Sequence, residues 1–586
     1  MLDRARPGST VLDRPAPRGS TPSLRVGDTA GVTAVREGEG LAGSGGAAQG
    51  SRDCVLAIDL GTSGPKVAVV TLDAKVVGWQ TRPVPLSLLD GGGAEQAPAD
   101  WWRAICEAAT AVLEQTGAAK RIVAVAVTSH WCGTVAVNGA GEPLRPSIIW
   151  LDARGARHVP EICDGLIRVE GYGARKLAKW VRLTAGVPSL AGKEPVAHLL
   201  WLRHNEPEVY AKAAMFLEPK DWLNFKLTGV FAATFDSITA HWVTDNRRLD
   251  SISYHPDLLE WIGVPRAKLP DLCGATEVIG ALTREAAAGL GLGAARGDGI
   301  QVIGGTPDIH SAAVGSGAVD DRQAHIYVGT SSWATCHVRY KKTDVLHNMA
   351  SLPSPLPGRY FVAAAQESAG VCFEYLRDHF LFVDDALGTG AAPDDFWQRL
   401  ERVGATAPVG SGGLIFTPWL YGERCPVADD TLRAGFHNMS LRTGRAELIR
   451  SIYEGVAFNT KWLLKYLERF VGARCDPIRF IGGGAMSRLW CQVMADVLDR
   501  EIHQVLEPRA CNARGAALLA SIGLGHLQVE DIPSRVGVAT SFSPNPAHRE
   551  LLDRQFAAYL QIHAKNAPIH RRLNQSARSR RRGSAS

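Results

Sequence analysis

The sequence predicts an α/β fold in which two similar lobes enclose a cleft. Apolar strand-like runs alternate with helical patterns along most of the 586 residues, as in CVLAIDL at 54–60 and in the spacing of Ile105 and Ala109. A Gly-Thr-Ser turn follows an apolar strand at 61–63 and again at 329–331. Because these copies lie in opposite halves of the chain, they indicate two related halves rather than the short repeat of a solenoid.

The first half begins with a strand, a turn and a hairpin. The run at 54–60 leads through the glycine turn into VAVVTLDAKVVGWQT at 67–81, which predicts a strand and its hairpin partner. A helical pattern at 99–117 and an apolar run at 121–129 follow. The order strand, strand, strand, helix, strand predicts a mixed sheet.

The second half repeats this beginning. AHIYVGTSSWATCHV at 324–338 predicts a second strand, turn and strand. Apolar residues recur at helical spacing in 446–470, which predicts a long helix. The segment PIRFIGGGAMSRLWCQVMADVL at 477–498 predicts a strand, a glycine loop and a helix.

Composition divides the chain into four parts. We expect a disordered extension at 1–52, which is rich in small and polar residues and lacks aromatic ones. We place an N-terminal domain at 53–318, a C-terminal domain at 319–565 and a disordered basic tail at 566–586. The eleven cysteines are scattered without a C-x-x-C pair, which indicates reduced thiols and a cytoplasmic protein.

Charge and hydropathy limit the expected partners. Charged residues make up 21% of the chain, apolar residues 46%, and the mean hydropathy is −0.04. The net charge is +5, but six arginines lie within residues 570–586, which contain no acid. The rest of the chain has no net positive charge for a nucleic acid, and no apolar run approaches the roughly 18 residues that span a bilayer. We therefore predict neither a nucleic-acid nor a membrane partner.

The paired turns have the composition of a polyphosphate site. Backbone N–H groups and hydroxyls of Gly, Thr and Ser can donate to phosphate without bulky side chains in the way, and Lys66 adds a cation beside the first turn. One such turn alone would be explained better as a plain hairpin, but the pair favours phosphate binding. Neither copy fits the Walker pattern, which excludes a P-loop enzyme.

Two aspartates follow apolar strands. Asp59 could form the turn after its strand. We favour a metal role, because an acid that points into a phosphate-binding cleft suits a hydrated Mg²⁺ that bridges phosphate oxygens. Asp308 follows QVIGGTP at 301–307 and precedes small residues typical of a helix start. On spacing alone, it could equally cap that helix or accept the proton of a hydroxyl that attacks a γ-phosphate.

A set of motifs in residues 53–560 resembles the FGGY family of carbohydrate kinases, and within that family the xylulokinase branch. Ala94-Glu95-Gln96 before Trp101-Trp102, and LEPKDWLNFKLTG at 217–229, carry the likeness to that branch. The motifs shared with the family are Gly61-Thr62-Ser63, Trp150-Leu151-Asp152-Ala153-Arg154, Pro219-Lys220-Asp221, Asp308, Gly329-Thr330-Ser331, Gly422-Glu423-Arg424, residues 447–455 and Gly482-Gly483-Gly484.

The resemblance implies a two-lobed actin-like or hexokinase-like ATPase fold, built from two ribonuclease H-like domains. It implies ATP and Mg²⁺ as cofactors, Asp308 as the catalytic base and Asp59 as the acid near the metal. The implied substrate is a ketose, with D-xylulose first and another pentulose, hexulose or polyol as the alternative. The implied nucleotide contacts are Gly61, Thr62, Ser63, Lys66, Gly329, Thr330, Ser331, Gly483 and Gly484. The implied sugar contacts are His130, Trp131, Cys132, Asp152, Arg154, Asp308 and Ile309.

The expected partners are therefore a small-molecule sugar and, in a homodimer, a second copy of the chain. Asp152 and Arg154 have an alternative explanation, a mutual salt bridge on the surface.

The chain departs from the family in the sugar pocket. Xylulose enzymes carry Gln-Met-His-Gly where this chain has His130-Trp131-Cys132-Gly133, which replaces a histidine donor by a weakly bonding thiol. Asp308 is followed by Ile309-His310, where Asn-Ala is usual. The reaction follows from the resemblance, while the preferred sugar stays open.

Two rival functions come from other classes. A non-catalytic ATP or sugar sensor would be free to lose Asp59 or Asp308, yet both are present. An actin-like or chaperone-like ATPase would not require Asp152, Arg154 or the GGTPD loop. ATP consumption that depends on an added sugar separates the kinase from both.

Overall fold

The structure is a computed structural model that describes residues 53–293, 299–388 and 390–583, with side chains up to residue 574. The extension expected at 1–52 lies outside the described residues, as do residues 584–586 of the expected tail.

The first sheet has six strands, in the order β5-β6-β4-β1-β2-β3. The pairs β1/β4 and β4/β6 are parallel, and the remaining neighbours are antiparallel. This is the mixed sheet that the sequence predicts. The strands are β1 (Cys54–Gly61), β2 (Gly64–Thr71), β3 (Val76–Thr81), β4 (Ile122–Ser129), β5 (Val278–Ala281) and β6 (Gln301–Pro307).

The second sheet has eight strands, in the order β9-β10-β11-β8-β7-β12-β13-β14. From β11 to β14 it repeats the order and the strand directions of the first sheet, read from β3 to β5. This repetition confirms the prediction of two related halves. The strands are β7 (Ala324–Val328), β8 (Ser332–Val338), β9 (Thr343–Asp344), β10 (Met349–Pro353), β11 (Tyr360–Gln366), β12 (Ile478–Ile481), β13 (Ile502–Val505) and β14 (Val538–Phe542).

Helices surround the two sheets, and the helices predicted near 99–117 and 446–470 are present. The longer ones are α1 (Pro98–Thr116), α2 (Ala174–Thr184), α3 (Pro195–Asn205), α4 (Pro219–Thr228), α5 (Asp308–Ser316), α6 (Phe396–Thr406), α7 (Arg445–Val471), α8 (Arg488–Leu498), α9 (Cys511–Gly523) and α10 (Arg549–Gly583). Shorter helices are Val159–Ile162, Pro207–Lys212, Pro256–Ile262, Arg284–Gly289, Val371–Leu376 and Ile532–Arg535.

Short strands form small separate sheets. They are Ser87–Leu89, Gly93–Gln96, Val135–Val137, Ser147–Ile148, Arg168–Val169, Tyr172–Gly173, Met215–Leu217, Ala232–Thr234, Thr244–Asp245, Ser253–Tyr254, Asp271–Cys273, Ile415–Thr417 and Gly435–His437.

The first sheet is covered on both faces by helices from different halves of the chain. Leu56 of β1 belongs to a core cluster with Trp101 of α1 on one face. Ala57, the next residue of β1, belongs to a cluster with Ala513 and Ala516 of α9 on the other face. Successive strand residues point to opposite faces, so a strand covered on both sides is a continuous apolar run. α9 thereby ties the C-terminal half of the chain to the first sheet.

The disordered tail expected from residue 566 is wrong for the residues up to 574, which continue helix α10. Arg571 Nε lies 3.1 Å from Asp429 Oδ2, and Asn574 donates to the carbonyl oxygen of Thr431 at 2.8 Å. Arg571 thus has an acidic partner on the body of the protein. Earlier in the same helix, Tyr559 is fully buried.

The cysteines form no disulfide within the described residues, in agreement with reduced thiols. Across the same residues, none of the helices combines the length and the apolar character that crossing a bilayer requires.

Candidate active site

Asp59 and Asp308 reach the same edge of the first sheet. In the parallel pairs β1/β4 and β4/β6, Asp59 lies beside Thr128, and Thr128 beside Thr306. Asp308 follows two residues later and is the first residue of α5. The carboxyl ends of parallel strands meet at one edge, where α/β proteins bind ligands. The two acids therefore lie on one side of the molecule because of the strand register.

The environment of Asp308 suits a proton acceptor. Burial, and then the negative charge of Asp59, raise the pKa of Asp308 to about 7. One carboxylate oxygen accepts from the N–H of Ile309 at 2.7 Å. Pro307 occupies the N-cap position, so Asp308 does not cap the helix in the usual way. A general base works best with a pKa near the operating pH.

Asp59 is contacted by both halves of the chain. Lys66 Nζ lies 3.7 Å from its carboxylate and donates to the carbonyl oxygen of Arg509 at 2.7 Å. Asn512, in the first turn of α9, places its amide nitrogen 3.4 Å from the other oxygen of Asp59. Burial raises the pKa of Asp59, and the Lys66 charge opposes that shift. Sequence reasoning missed Asn512, because no local pattern links it to a strand so distant in the chain.

Helices α5 and α9 approach each other backbone to backbone. A Cβ on Gly315 would lie 1.8 Å from the carbonyl oxygen of Cys511, and one on Gly515 would lie 1.9 Å from that of Ser311. The Ser311 hydroxyl donates to the carbonyl oxygen of Asn512 at 2.7 Å. Two glycines thus allow the crossing that brings the start of α9 to the acids.

The first Gly-Thr-Ser turn connects β1 to β2 with Gly61 opposite Gly64. Among the described residues, a Cβ on Gly61 would meet the Gly64 oxygen alone, at 3.4 Å, which leaves open space in front of the turn in that part of the chain. The Thr62 hydroxyl accepts from the indole of Trp150 at 2.9 Å, and Ser63 is exposed. The predicted phosphate turn is therefore accessible and is joined to the Trp150–Arg154 motif.

The second turn, at 329–331, follows Tyr327, a residue on which the charges of both acids act. A Cβ on Gly329 would lie 2.1 Å from the hydroxyl of Tyr327. Burial, and then the charges of Asp308 and Asp59, raise the pKa of Tyr327. The charges of both acids thus act on Tyr327, whose hydroxyl lies next to Gly329 of the second turn. Thr330 is exposed at the tip.

The loop at 482–484 packs against the end of β7, next to the second turn. Cβ atoms on Gly482 and Gly484 would lie 2.5 Å and 2.6 Å from atoms of Val328. Gly483 between them is exposed and has no atom within 4 Å of an added Cβ, among the residues that are described. An open cradle of this kind has room for a bulky planar group.

The donor set fits a nucleotide with Mg²⁺. Backbone N–H groups, the hydroxyls of both turns and Lys66 suit phosphates. Mg²⁺ usually keeps several waters and takes only one or two carboxylates besides phosphate oxygens. Asp59, with Asp308 nearby, therefore supplies enough carboxylates for such an ion. The roles that the resemblance implies for these residues stay predictions.

Three predicted sugar contacts, His130, Trp131 and Cys132, differ in their hydrogen-bond partners and in their backbone conformation. Burial lowers the pKa of His130 to about 4, its ring packs edge-on against Trp101 with centroids 5.6 Å apart, and neither ring nitrogen has a hydrogen-bond partner in the described chain. Trp131 donates to the carbonyl oxygen of Ser237 at 2.9 Å. Cys132 is in a left-handed conformation with φ 62°.

Groups from both halves surround Cys132. Burial, followed by the charges of Glu218 and Glu194, raises the pKa of Cys132, and the charge of Arg424 opposes this. Asp308 is a further contributor to the increase. Charges from both halves, those of Asp308 and Arg424 among them, thus act on Cys132, and its contact with a sugar stays a prediction.

Asp152 and Arg154 form the mutual salt bridge considered above, but inside a larger buried network. Asp152 accepts from the N–H of Ala94 at 2.9 Å and from Arg154 Nε at 2.9 Å. The guanidinium of Arg154 also bonds to Glu95 and lies 3.9 Å from the ring centre of Trp201. These bonds occupy the polar atoms of Asp152, so its sugar contact stays a prediction.

One further group resembles a metal site. His158, Glu161 and His204 are the only three His, Cys, Asp or Glu residues in the described ranges whose ligand atoms lie within 4.8 Å of one another. The two imidazoles are stacked, with centroids 4.3 Å apart and planes 2° from parallel. A metal lies near the plane of each imidazole that binds it, so one ion cannot serve two stacked rings in this arrangement. The group does not include Asp59.

Known proteins resemble this chain over most of its length. The model of the FGGY family of carbohydrate kinases, N-terminal domain, matches residues 54–315, and that of the C-terminal domain matches residues 324–524. A xylulose kinase from Staphylococcus epidermidis is 26% identical over 528 residues, which cover 88% of this chain and 98% of that protein. An L-xylulose/3-keto-L-gulonate kinase from Escherichia coli is 26% identical over 529 residues, 89% of this chain and 98% of that protein. The crystal structure of xylulose kinase from Rhodospirillum rubrum matches with a TM-score of 0.74 at 26% identity, covering 88% of this chain and 99% of that one.

Proposed function

The chain belongs to the FGGY family of carbohydrate kinases, and from this membership we propose that it transfers the γ-phosphoryl group of ATP to a ketose hydroxyl. D-xylulose, giving D-xylulose 5-phosphate, is the first substrate to test, because relatives named xylulose kinase match most of the chain. The single observation that carries the proposal is that Asp308 and Asp59 meet at one edge of the first sheet, where burial and the charge of Asp59 raise the pKa of Asp308 to about 7.

The residues around the nucleotide have separate tasks. The turns at 61–63 and 329–331 donate to the phosphates, and Lys66 neutralises part of their charge. The open cradle at Gly483 receives the adenosine. Bound Mg²⁺ would be held near Asp59 and would neutralise charge on the phosphate oxygens. Phosphoryl transfer needs little covalent help from a protein, so placement and charge neutralisation supply most of the catalysis.

Asp308 acts on the acceptor. Its carboxylate takes the proton of the sugar hydroxyl while that oxygen forms a bond to the γ-phosphorus. The bond between the γ-phosphorus and the β–γ bridging oxygen breaks, and ADP leaves with that oxygen. Asp308 then releases its proton to solvent. A pKa raised toward neutrality suits a group that must both accept and release a proton.

The acceptor is tested as a panel. The relative that acts as an L-xylulose/3-keto-L-gulonate kinase supports the inclusion of L-xylulose beside D-xylulose. Cys132, which lies near Asp308, supports further pentuloses, hexuloses and polyols, because a thiol is a weak donor to a sugar oxygen.

The test is Asp308→Asn in purified protein with this panel and an ADP readout. We expect ADP formation to depend on the added sugar in the wild type, and the turnover of Asp308→Asn to fall by about 10² to 10⁴. The same change at Asp320, an exposed residue just beyond α5, is the matched control and should leave turnover unchanged. A loss of less than about tenfold contradicts the base assignment, and ADP formation without sugar favours an ATPase.

A further inference from the structure

The strand that leads to Asp308 contains a bulge. Between Ile303 and Thr306 the pairing of β6 with β4 shifts by one residue. Gly305 has φ 68°, and a Cβ there would lie 2.0 Å from the carbonyl oxygen of Val127. One extra residue changes the face to which the following side chains point. The bulge therefore decides the direction in which Asp308 leaves the sheet.

Two side chains of α4 hold the carbonyl oxygen of Gly304 in this bulge. Lys220 Nζ donates to it at 2.9 Å, and Asn224 Nδ2 donates to it at 2.8 Å. These residues are four apart and so lie on one face of the helix. Lys220 is only 1% exposed, which is unusual for a lysine.

Buried carboxylates balance the Lys220 charge. Asp221 Oδ1 lies 2.5 Å from Lys220 Nζ, and its second oxygen accepts from the Ser237 hydroxyl at 2.9 Å. The Lys220 charge also acts on Asp236, where it lowers a pKa that burial raises. Asp236 in turn accepts from the hydroxyl of Thr306. The ammonium thus acts on both sides of the bulge, on Gly304 directly and on Thr306 through Asp236.

Stability alone does not account for an ion pair at this place. A buried ion pair often contributes no more than well-packed apolar side chains of similar volume, since both charges lose their hydration. The amide of Asn224 already satisfies the carbonyl of Gly304. The charged group adds a hydrogen bond to Gly304 and an attraction to Asp236, the acceptor of Thr306, and buried ionic groups fix one arrangement in some proteins.

We propose that Lys220 is a positioning residue that acts through Asp308, by holding the bulge that aims this carboxylate at the acceptor hydroxyl. This rests on the proposed function, in which Asp308 is the base. It also gives a role to the Pro219-Lys220-Asp221 motif, which the reaction scheme above leaves unused.

The first test is Lys220→Met, which keeps the length of the side chain and removes its charge and its donors. We expect kcat to fall at least about tenfold while KM for ATP stays within about twofold, because a misplaced base slows the transfer step and leaves the nucleotide contacts intact. Lys226→Met is the matched control on the same helix. Lys226 is partly exposed and lies 3.8 Å from Glu285, so its loss should leave kcat unchanged.

A double-mutant cycle separates positioning from general support of the fold. In an Asp308→Asn background, Lys220→Met should cause less than about a twofold further loss, since the residue through which it acts is already gone. An undiminished loss in that background overturns the inference, as does wild-type kcat in folded Lys220→Met.

If Lys220→Met does not fold, Lys220→Met/Asp221→Asn removes both charges of the pair and replaces it in the same measurements. Failure of this variant to fold also counts against the inference, because Lys220 would then be needed for the fold itself. Absence of sugar-dependent turnover in the wild type overturns the proposed function instead, and this is measured first.

Discussion

The crossing of α5 and α9 gives the most direct prediction, because a single methyl group at Gly515 has no room. Its Cβ would lie 1.9 Å from the carbonyl oxygen of Ser311, whereas ordinary contacts begin at 3.4 Å. The helices must therefore move apart by about 1.5 Å. We expect this overpacking to lower the free energy of unfolding by about 1–3 kcal/mol. The better helix propensity of alanine offsets up to about 1 kcal/mol of that loss.

The same displacement should reduce catalysis by more than it reduces stability. α5 begins with Asp308, and α9 begins beside Asn512, which reaches Asp59. A misplacement of about 1 Å can cost about 10²-fold in rate, so kcat of Gly515→Ala should fall by about that factor while the protein stays folded.

Steady-state ADP formation and urea unfolding measure the two effects. Gly139→Ala is the control, since Gly139 is exposed and has no atom within 4 Å of an added Cβ in the described structure. Wild-type kcat and an unchanged urea midpoint for Gly515→Ala would refute the reasoning, and so would an equal loss in the control.

Three further predictions follow from the same site. The pKa of Asp308, about 7, predicts that kcat/KM for the sugar falls about tenfold per pH unit below about pH 7 and levels off above it; a flat profile down to pH 5.5 contradicts the base assignment. Because this pKa lies above the ordinary value of 3.8, the contribution of Asp308 to stability falls as pH rises from about 4 to about 7. Asp308→Asn should therefore raise Tm at pH 8 more than at pH 4. Asp59→Asn should shift the Mg²⁺ titration of the rate to higher concentration, and an unchanged titration removes Asp59 from the metal site. Gly483→Phe should raise KM for ATP by at least about tenfold without changing KM for the sugar, and equal changes in both would contradict the adenosine cradle.

The strand and turn patterns predicted the sheets because their causes are local. The run at 54–60 is apolar throughout since both faces of β1 are covered, as the clusters around Leu56 and Ala57 show. The repeated Gly-Thr-Ser turn predicted the duplication, since each turn ends the first hairpin of its sheet. Asp59 and Asp308 could be found for the same reason: each directly follows or ends an apolar strand.

The contacts between the halves were not predictable in this way. Gly315 and Gly515 are isolated glycines within helices. In a sequence, such a glycine only weakens the prediction of its helix and does not indicate which other helix packs against it. Asn512 has no motif around it, and it reaches Asp59 only because α9 returns to the first sheet. Helix in the tail up to residue 574 was not predicted, because Asp429, which pairs with Arg571, is distant in the chain.

The duplication also explains why the site is single and asymmetric. Asp59 lies two residues before Gly61 in β1, and Tyr327 lies two residues before Gly329 in β7, so the repeated topology gives them equivalent places. In the second half a phenol, stacked on Trp333 with centroids 3.8 Å apart, takes the place of the acid. Both halves have a Gly-Thr-Ser turn, but among these two equivalent described positions only that of the first half holds a carboxylate, the one that we propose for the metal. Two such acids would add like charge beside Asp308 and raise its pKa further, which would leave less of the base ionised at neutral pH.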